Sequence, residues 1–183
     1  MIFTEKIINI FYNSATGGKL KRIVLTPVFG IIFVFITSLF VIAPLYIDSL
    51  LNIPRIKIYP VNLIITLCLF IPGIWLVIWS NLYVFRVKGT PVPANPPPVL
   101  ITGGPFRFSR NPMTAGYFLI MFSIGIYFGS VLSIFIFTPA FIILHTNELK
   151  TVEEPELIKR LGQEYLEYMS SVPMFIPRLK KQK

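Results

Sequence analysis

Charge is scarce in this sequence. Only 14% of its 183 residues are Asp, Glu, Lys or Arg, where a soluble domain carries about 25%. That shortfall excludes an ordinary water-soluble globule and fits a chain whose main solvent is lipid. Cys68 is the single cysteine and lies inside an apolar run, so neither an intramolecular disulfide nor a cysteine metal cluster can be assembled. His145 is the single histidine, and no G-x-S-x-G nucleophile motif accompanies it, which argues against a Ser-His hydrolase. G-x-G-x-x-G is missing, so a soluble Rossmann-type cofactor site has no support. Nor is there an internal repeat.

In place of charge there are long apolar runs, and 54% of the chain is hydrophobic. The segment 23–47 is 25 residues without a charge. A helix of roughly 20 residues crosses the hydrocarbon core, so this run spans with room for tilt. It is too long for the apolar core of a signal peptide. Pro27 is expected in its first turn, where the missing N–H costs little. The segment 58–85 is a second uncharged run, of 28 residues, with Pro72-Gly73 expected to kink it.

The third run, 111–147, is 37 residues without a charge. As one straight helix it would be about 55 Å long, far more than a ~30 Å core. Gly129-Ser130 at its midpoint is a turn pair, so the spacing predicts two short antiparallel helices, about 113–127 and 131–149. Gly125 and Gly129 have G-x-x-x-G spacing, which serves either a tight turn or close helix packing.

The net charge of +9 would suit nucleic-acid binding in a soluble protein. Here the basic residues crowd the ends of apolar runs, so anionic headgroups account for them and no nucleic-acid partner is expected. The segments before the first run, between the second and third, and after the fourth hold 15 of the 17 Lys and Arg residues; Arg55 and Lys57 are the other two. Four spans with both termini in the cytoplasm satisfy the positive-inside rule. The expected fold is therefore an all-α integral membrane protein of about four transmembrane helices, the last two a short hairpin, with a cytoplasmic C-terminal helix. It divides into a lead-in (1–22), two spans (23–88) and a C-terminal core (89–178).

The polar segments fill in the rest. Ile2, Phe3, Ile7, Ile8, Ile10 and Phe11 suit a short amphipathic helix on the membrane surface, and 9–22, with Gly17-Gly18, reads as an irregular lead-in. The stretch 89–98 (GTPVPANPPP) reads as an extended, solvated connector. From Glu153 to Tyr168 a charged helix is expected, with Leu157, Leu161, Tyr165 and Tyr168 on one face and Pro155 in its first turn.

Two polar clusters flank the third run: Thr102 to Pro112 and Glu148 to Arg160. A hairpin returns both to one membrane face. Arg107 and Arg110 should then meet Glu153 and Glu154. The plain alternative is that the arginines bind lipid phosphate while the acids cap the next helix.

The string GGPFRFSRNPM, an apolar hairpin and then EEPELIKRLGQEYLEYMSSVPMFIPR resemble the core of isoprenylcysteine carboxyl methyltransferases and their bacterial relatives, a family related to phospholipid N-methyltransferases. The likeness covers about 89–178. It implies S-adenosyl-L-methionine as cofactor and no metal. It also implies a lipophilic or lipid-modified substrate taken from the bilayer of a bacterial or archaeal cell membrane. Such a cofactor offers a carboxylate that wants a cation, an ammonium and a ribose that want acceptors, and an adenine that wants an apolar slot. Gly103 and Gly104 permit close backbone approach. Arg107 and Arg110 offer forked donors for the carboxylate. Glu153 and Glu154 can accept from the ammonium or ribose, while Phe106, Phe108 and the hairpin can enclose the adenine. Pro105, Asn111, Pro112 and Gly116 complete the implied cofactor set. Arg110, Asn111, Glu153, Glu154 and the basic residues Lys159 and Arg160 are the implied catalytic candidates, with either of the last two filling the family's basic position.

Several positions depart from the family pattern. Asn111 stands for the commoner histidine, Thr114, Phe106 and Phe108 for tyrosines, and Leu161 for phenylalanine. The methyl acceptor is not readable: carboxyl, amine and thiol groups all remain open. A non-catalytic membrane scaffold that kept the fold is the competing expectation.

Overall fold

The computed structural model describes residues 2–176, and no β-strand occurs among them. Helix α1 is Ile2–Ala15, α2 is Lys19–Leu50 and α3 is Val61–Arg86. A 3-10 turn at Gly104–Arg107 precedes α4, Pro112–Phe128. Then come α5, Thr138–Glu148, α6, Glu154–Leu161, and α7, Gln163–Ser171.

Two of these helices are long and apolar enough to cross a membrane: α2 over Arg22–Leu50 and α3 over Val61–Arg86. Only 6% of the α2 stretch and 17% of the α3 stretch is buried within the protein, and Ile31, Phe35, Ile71 and Ile78 are exposed. Apolar surface of that extent suits lipid, not water. The remaining apolar helix, α4, is shorter.

Several expectations are corrected. Helix α1 runs on to Ala15, so the irregular lead-in shrinks to the few residues before Lys19. Rather than only lying on a membrane, α1 packs against α6 and the turn before it. Helix α2 starts at Lys19, which puts Pro27 in its interior rather than its first turn. The fourth expected helix does not stop near residue 149. It runs from 131 through Leu161, with π-helical turns at Ser133–Phe137 and Leu149–Glu153. Gly162, at φ +63, then breaks the expected charged helix into α6 and α7. Such a φ suits glycine and strains other residues.

The connector after α3 is also more folded than its prolines suggest. Thr90 N–H donates to the Asn95 carbonyl at 2.8 Å, and Ala94 is wholly buried. Proline removes donors, yet here Thr90, Val92 and Asn95 close the loop on themselves.

Helices α3 and α4 form the tightest pair, at Gly73 and Gly116. A Cβ on Gly116 would meet the Gly73 carbonyl oxygen at 2.6 Å. The Gly125–Gly129 spacing serves both of its anticipated purposes. Gly129 turns the hairpin at φ +64, while a Cβ on Gly125 would meet Ser133 Oγ at 2.8 Å. At the hairpin tip, Asn62 Nδ2 donates to the carbonyls of Ile56 and Ile126, each at 2.8 Å. One core cluster, Phe118, Met121 and Phe141, lies within the hairpin and takes in Phe175 from the C-terminal segment. A second, Tyr165, Tyr168 and Val172, seats α7 on Leu100, Leu157 and Leu161.

Candidate functional site

The hairpin does return both polar clusters to one place. Arg110, just before α4, reaches Glu154 at the start of α6, 44 residues further along. Its Nε and Nη2 both donate to Glu154 Oε1, at 3.1 and 2.6 Å. Both side chains are close to buried, at 11% and 13% exposed. Pairing is what makes such burial tolerable.

Arg110 also does something the sequence did not suggest. Its Nη1 donates to the carbonyls of Met169, at 3.0 Å, and Val172, at 2.6 Å. The backbone N–H groups of Arg110 and Asn111 donate to Pro173 and Met174, and Ser109 Oγ donates to Met174 as well. Tyr168 Oη donates to the Phe106 carbonyl at 2.6 Å. Residues 168–174 are thus a strap bonded across the segment 106–111. Four of the five guanidinium donors of Arg110 are used inside the protein. Arg110 thus acts as a staple within the fold, with one N–H of its fork left over. The only hint in the sequence was VPMFIP, which stops α7 and supplies free carbonyls.

Arg107, in contrast, is exposed and makes no hydrogen bond or ion pair among the described residues. It lines a groove of about 330 Å³ with Leu100, Thr102, Glu164, Glu167 and Tyr168. That volume falls in the range of small-ligand pockets. Arg107 does not meet the acid pair; Arg110 alone does.

Glu153 is the other free group. It ends the π-helical turn Leu149–Glu153, half-buried, with no partner among the described residues. Burial, and then the charges of Glu148, Glu156 and Glu154, push its carboxyl up to about 8, with Arg160 pulling the other way. The acid pair is therefore asymmetric: Glu154 is ion-paired and Glu153 is not.

The two basic candidates separate. Arg160 pairs with buried Glu156 at 2.8 Å and donates to the Pro97 carbonyl at 2.8 Å, which ties α6 to the connector. Lys159 is exposed and points elsewhere, to Asn9 Oδ1 at 2.8 Å and over the Tyr12 ring at 4.3 Å. Of the two, Arg160 acts on Glu153.

The remaining candidates are largely structural. Pro105 and Pro112 are fully buried. Gly116 packs on Gly73 of α3. Gly104, at φ +58, lies against the Tyr83 ring, which a Cβ would strike. Gly103 abuts the same ring more loosely, with a Cβ at 3.3 Å from Cε1. Phe106 is half-buried, its carbonyl held by Tyr168, while Phe108 is exposed. The Asn111 side chain caps nothing at α4 and makes no hydrogen bond among the described residues.

Taken together this is an all-α protein with two helices long and apolar enough to cross a membrane, and its polar site is assembled where an apolar hairpin brings its two ends together. A family model for phospholipid methyltransferases matches residues 61–164. The chain belongs to that family, and methyl transfer is the activity class the family supports. No curated protein matches the sequence. The matched region takes in α3, which the resemblance at 89–178 did not reach, and ends before the strap.

Proposed function

We propose that the protein is an S-adenosylmethionine-dependent membrane methyltransferase. In this reading it acts on a lipophilic carboxyl, amine or thiol acceptor at the cytoplasmic face, in the manner of isoprenylcysteine carboxyl methyltransferases. Four spans with both termini cytoplasmic form part of the same proposal. The observation that carries it is Glu153: a half-buried carboxyl, without a partner among the described residues, next to the Arg110–Glu154 staple. An acid raised to about 8 by burial and like charges favours a cation placed against it.

The donor set suits the cofactor. After internal bonds are counted, Glu153 is left as an acceptor for an ammonium or ribose, and Arg107 as a cation for a carboxylate. Asn111 adds a free amide. The cofactor supplies an electrophilic methyl on a sulfonium. The protein's part is to hold donor and acceptor in line, and positioning of that kind carries several kcal/mol of a reaction barrier. The strap 168–174 fixes Phe106 and Arg110, so the loop that holds Arg107 has little freedom to move. Arg160 keeps the connector closed over α6.

Calorimetry of the full chain in detergent with S-adenosylmethionine tests the reading, followed by methyl transfer from labelled cofactor to a membrane extract. Saturable binding and a labelled lipid product are expected. The alternative is a non-catalytic scaffold, favoured by the saturation of Arg110 within the fold. Absence of both binding and transfer would establish that alternative.

A further inference from the structure

A cleft of about 560 Å³ is lined by none of the candidate site residues considered above. It lies between the start of α2 and the proline-rich connector. Arg22, Ile23, Thr26 and Pro27 form one wall, and Lys88, Asn95, Pro96 and Pro98 the other. Its volume is ample for a small ligand.

The lining has a definite chemistry. Two cations face the cleft, no acid lines it, and neither the Arg22 nor the Lys88 side chain has a partner among the described residues. Arg22 also begins the stretch of α2 that is apolar enough to span a membrane, so Ile23 and Pro27 continue the cleft along an apolar helix. A cationic end joined to an apolar end is complementary to an anionic amphiphile. Arginine offers a planar fork for phosphate, and lysine a compact charge.

Lys88 adds a second, independent observation. It follows the last turn of α3, with its N–H donating to the Phe85 carbonyl at 3.0 Å, and its φ is +59. Glycine is the usual residue at such a helix end, because a side chain is strained there. A lysine held in this conformation carries a stability cost, and its side chain lines the cleft.

We propose that this cleft binds the phosphate of an anionic phosphodiester amphiphile between Arg22 and Lys88. The site is distinct from the one around Glu153 and does not depend on methyl transfer. Pro97, between the lining residues Pro96 and Pro98, accepts the Arg160 hydrogen bond, so the occupied cleft would brace the connector.

The test uses the full chain in a neutral sugar detergent. The probes are dihexanoyl phosphatidylglycerol and, separately, inorganic phosphate, each titrated by calorimetry and by thermal melting. Saturable binding of the amphiphile is expected. Arg22→Gln and Lys88→Gly should each weaken it at least about tenfold, the factor that corresponds to losing one charged hydrogen bond. Lys88→Gly should at the same time melt at the same temperature or higher, since glycine relieves the strained φ, so its loss of binding cannot be a loss of folding. Lys6→Gln, an exposed cation on α1, should change affinity less than about twofold. Full affinity in Lys88→Gly would overturn the proposal. So would equal losses in all three variants, which would indicate general surface charge. Inorganic phosphate binding as tightly as the amphiphile would overturn the amphiphilic assignment.

Discussion

Helix α2 and the α4–α7 region are built on opposite principles. Of the α2 span only 6% is buried by protein, and its side chains are almost wholly apolar. The C-terminal region has shorter helices, but it is cross-linked by Arg110, Ser109, Tyr168 and Arg160 through bonds that join residues more than 40 positions apart. One region presents an apolar surface that suits lipid, which tolerates almost any apolar side chain. The other depends on particular polar pairs, which tolerate few substitutions. The contrast shows where specificity in this chain resides.

The sharpest way to break the comparison is to remove the staple. Arg110→Ala leaves Glu154 close to buried without its partner and frees the carbonyls of Met169 and Val172. Breaking a buried pair in this way costs about 3–5 kcal/mol. Methyl transfer should be lost with it, and the 168–174 segment should become protease-sensitive. Phe35→Ala on α2, where the ring is 69% exposed, should shift stability in a bilayer by less than about 0.5 kcal/mol. Thermal melts of the two variants in the same nanodiscs check the pair. Comparable losses would show that α2 is held by protein contacts after all.

Much of this contrast was legible in the sequence, because hydropathy needs no tertiary information. The uncharged runs located α2, α3 and the hairpin, and Gly129 located its turn. The meeting of Arg110 with Glu154 followed from folding the third run in two. What was not legible depended on bonds between distant backbone groups. The strap's carbonyls at Met169, Val172, Pro173 and Met174 carry no signature in side-chain type, so the stapling bonds of Arg110 were invisible there. The connector read as solvated because proline removes donors, yet Thr90 and Asn95 close it. Gly116 read as a site residue from its place beside a motif; its packing on Gly73 of another helix was not legible. The π-helical turn that isolates Glu153 from its neighbour is likewise set by packing rather than by local propensity.

A smaller loss is expected at Gly104, in the turn before α4, which lies against Tyr83 of α3. Its φ of +58 and the ring beside it both oppose a side chain. Gly104→Ala should cost about 2 kcal/mol, combining backbone strain with the clash. The double variant Gly104→Ala with Tyr83→Ala removes the clash but not the strain. It should therefore recover part of the loss relative to Tyr83→Ala alone, as a double-mutant cycle would show.

Glu153 gives a pH-dependent effect of a few degrees in melting temperature. Its folded-state carboxyl titrates near 8, above the ordinary value of 4.5. Above pH 4.5 the unfolded chain releases this proton while the folded chain keeps it, so rising pH favours unfolding until the folded group also ionises near 8. Glu153→Gln removes that dependence. The variant should gain on the wild type between about pH 5 and 8, and the gain should level off above 8. On the proposed function it should also lose stabilisation by S-adenosylmethionine, expected of the wild type, together with methyl transfer. A variant that keeps both would remove Glu153 from the site.

The smallest effect is expected at Lys159, and it tests whether α1 belongs to the cross-linked region or only rests on it. Lys159 is exposed, and both of its contacts, Asn9 Oδ1 at 2.8 Å and the Tyr12 ring at 4.3 Å, are with α1. An exposed cation over an aromatic ring contributes about 0.5–1 kcal/mol, and a surface hydrogen bond no more. Lys159→Gln should therefore change global stability by less than about 1 kcal/mol. Opening of α1 is a local event, so the effect should appear as faster cleavage between α1 and α2 while residues 168–174 stay protected. Methyl transfer should remain within about twofold, because Arg160 rather than Lys159 acts on Glu153. A loss of transfer as large as that of Glu153→Gln would move the family's basic position to Lys159 and make α1 part of the site.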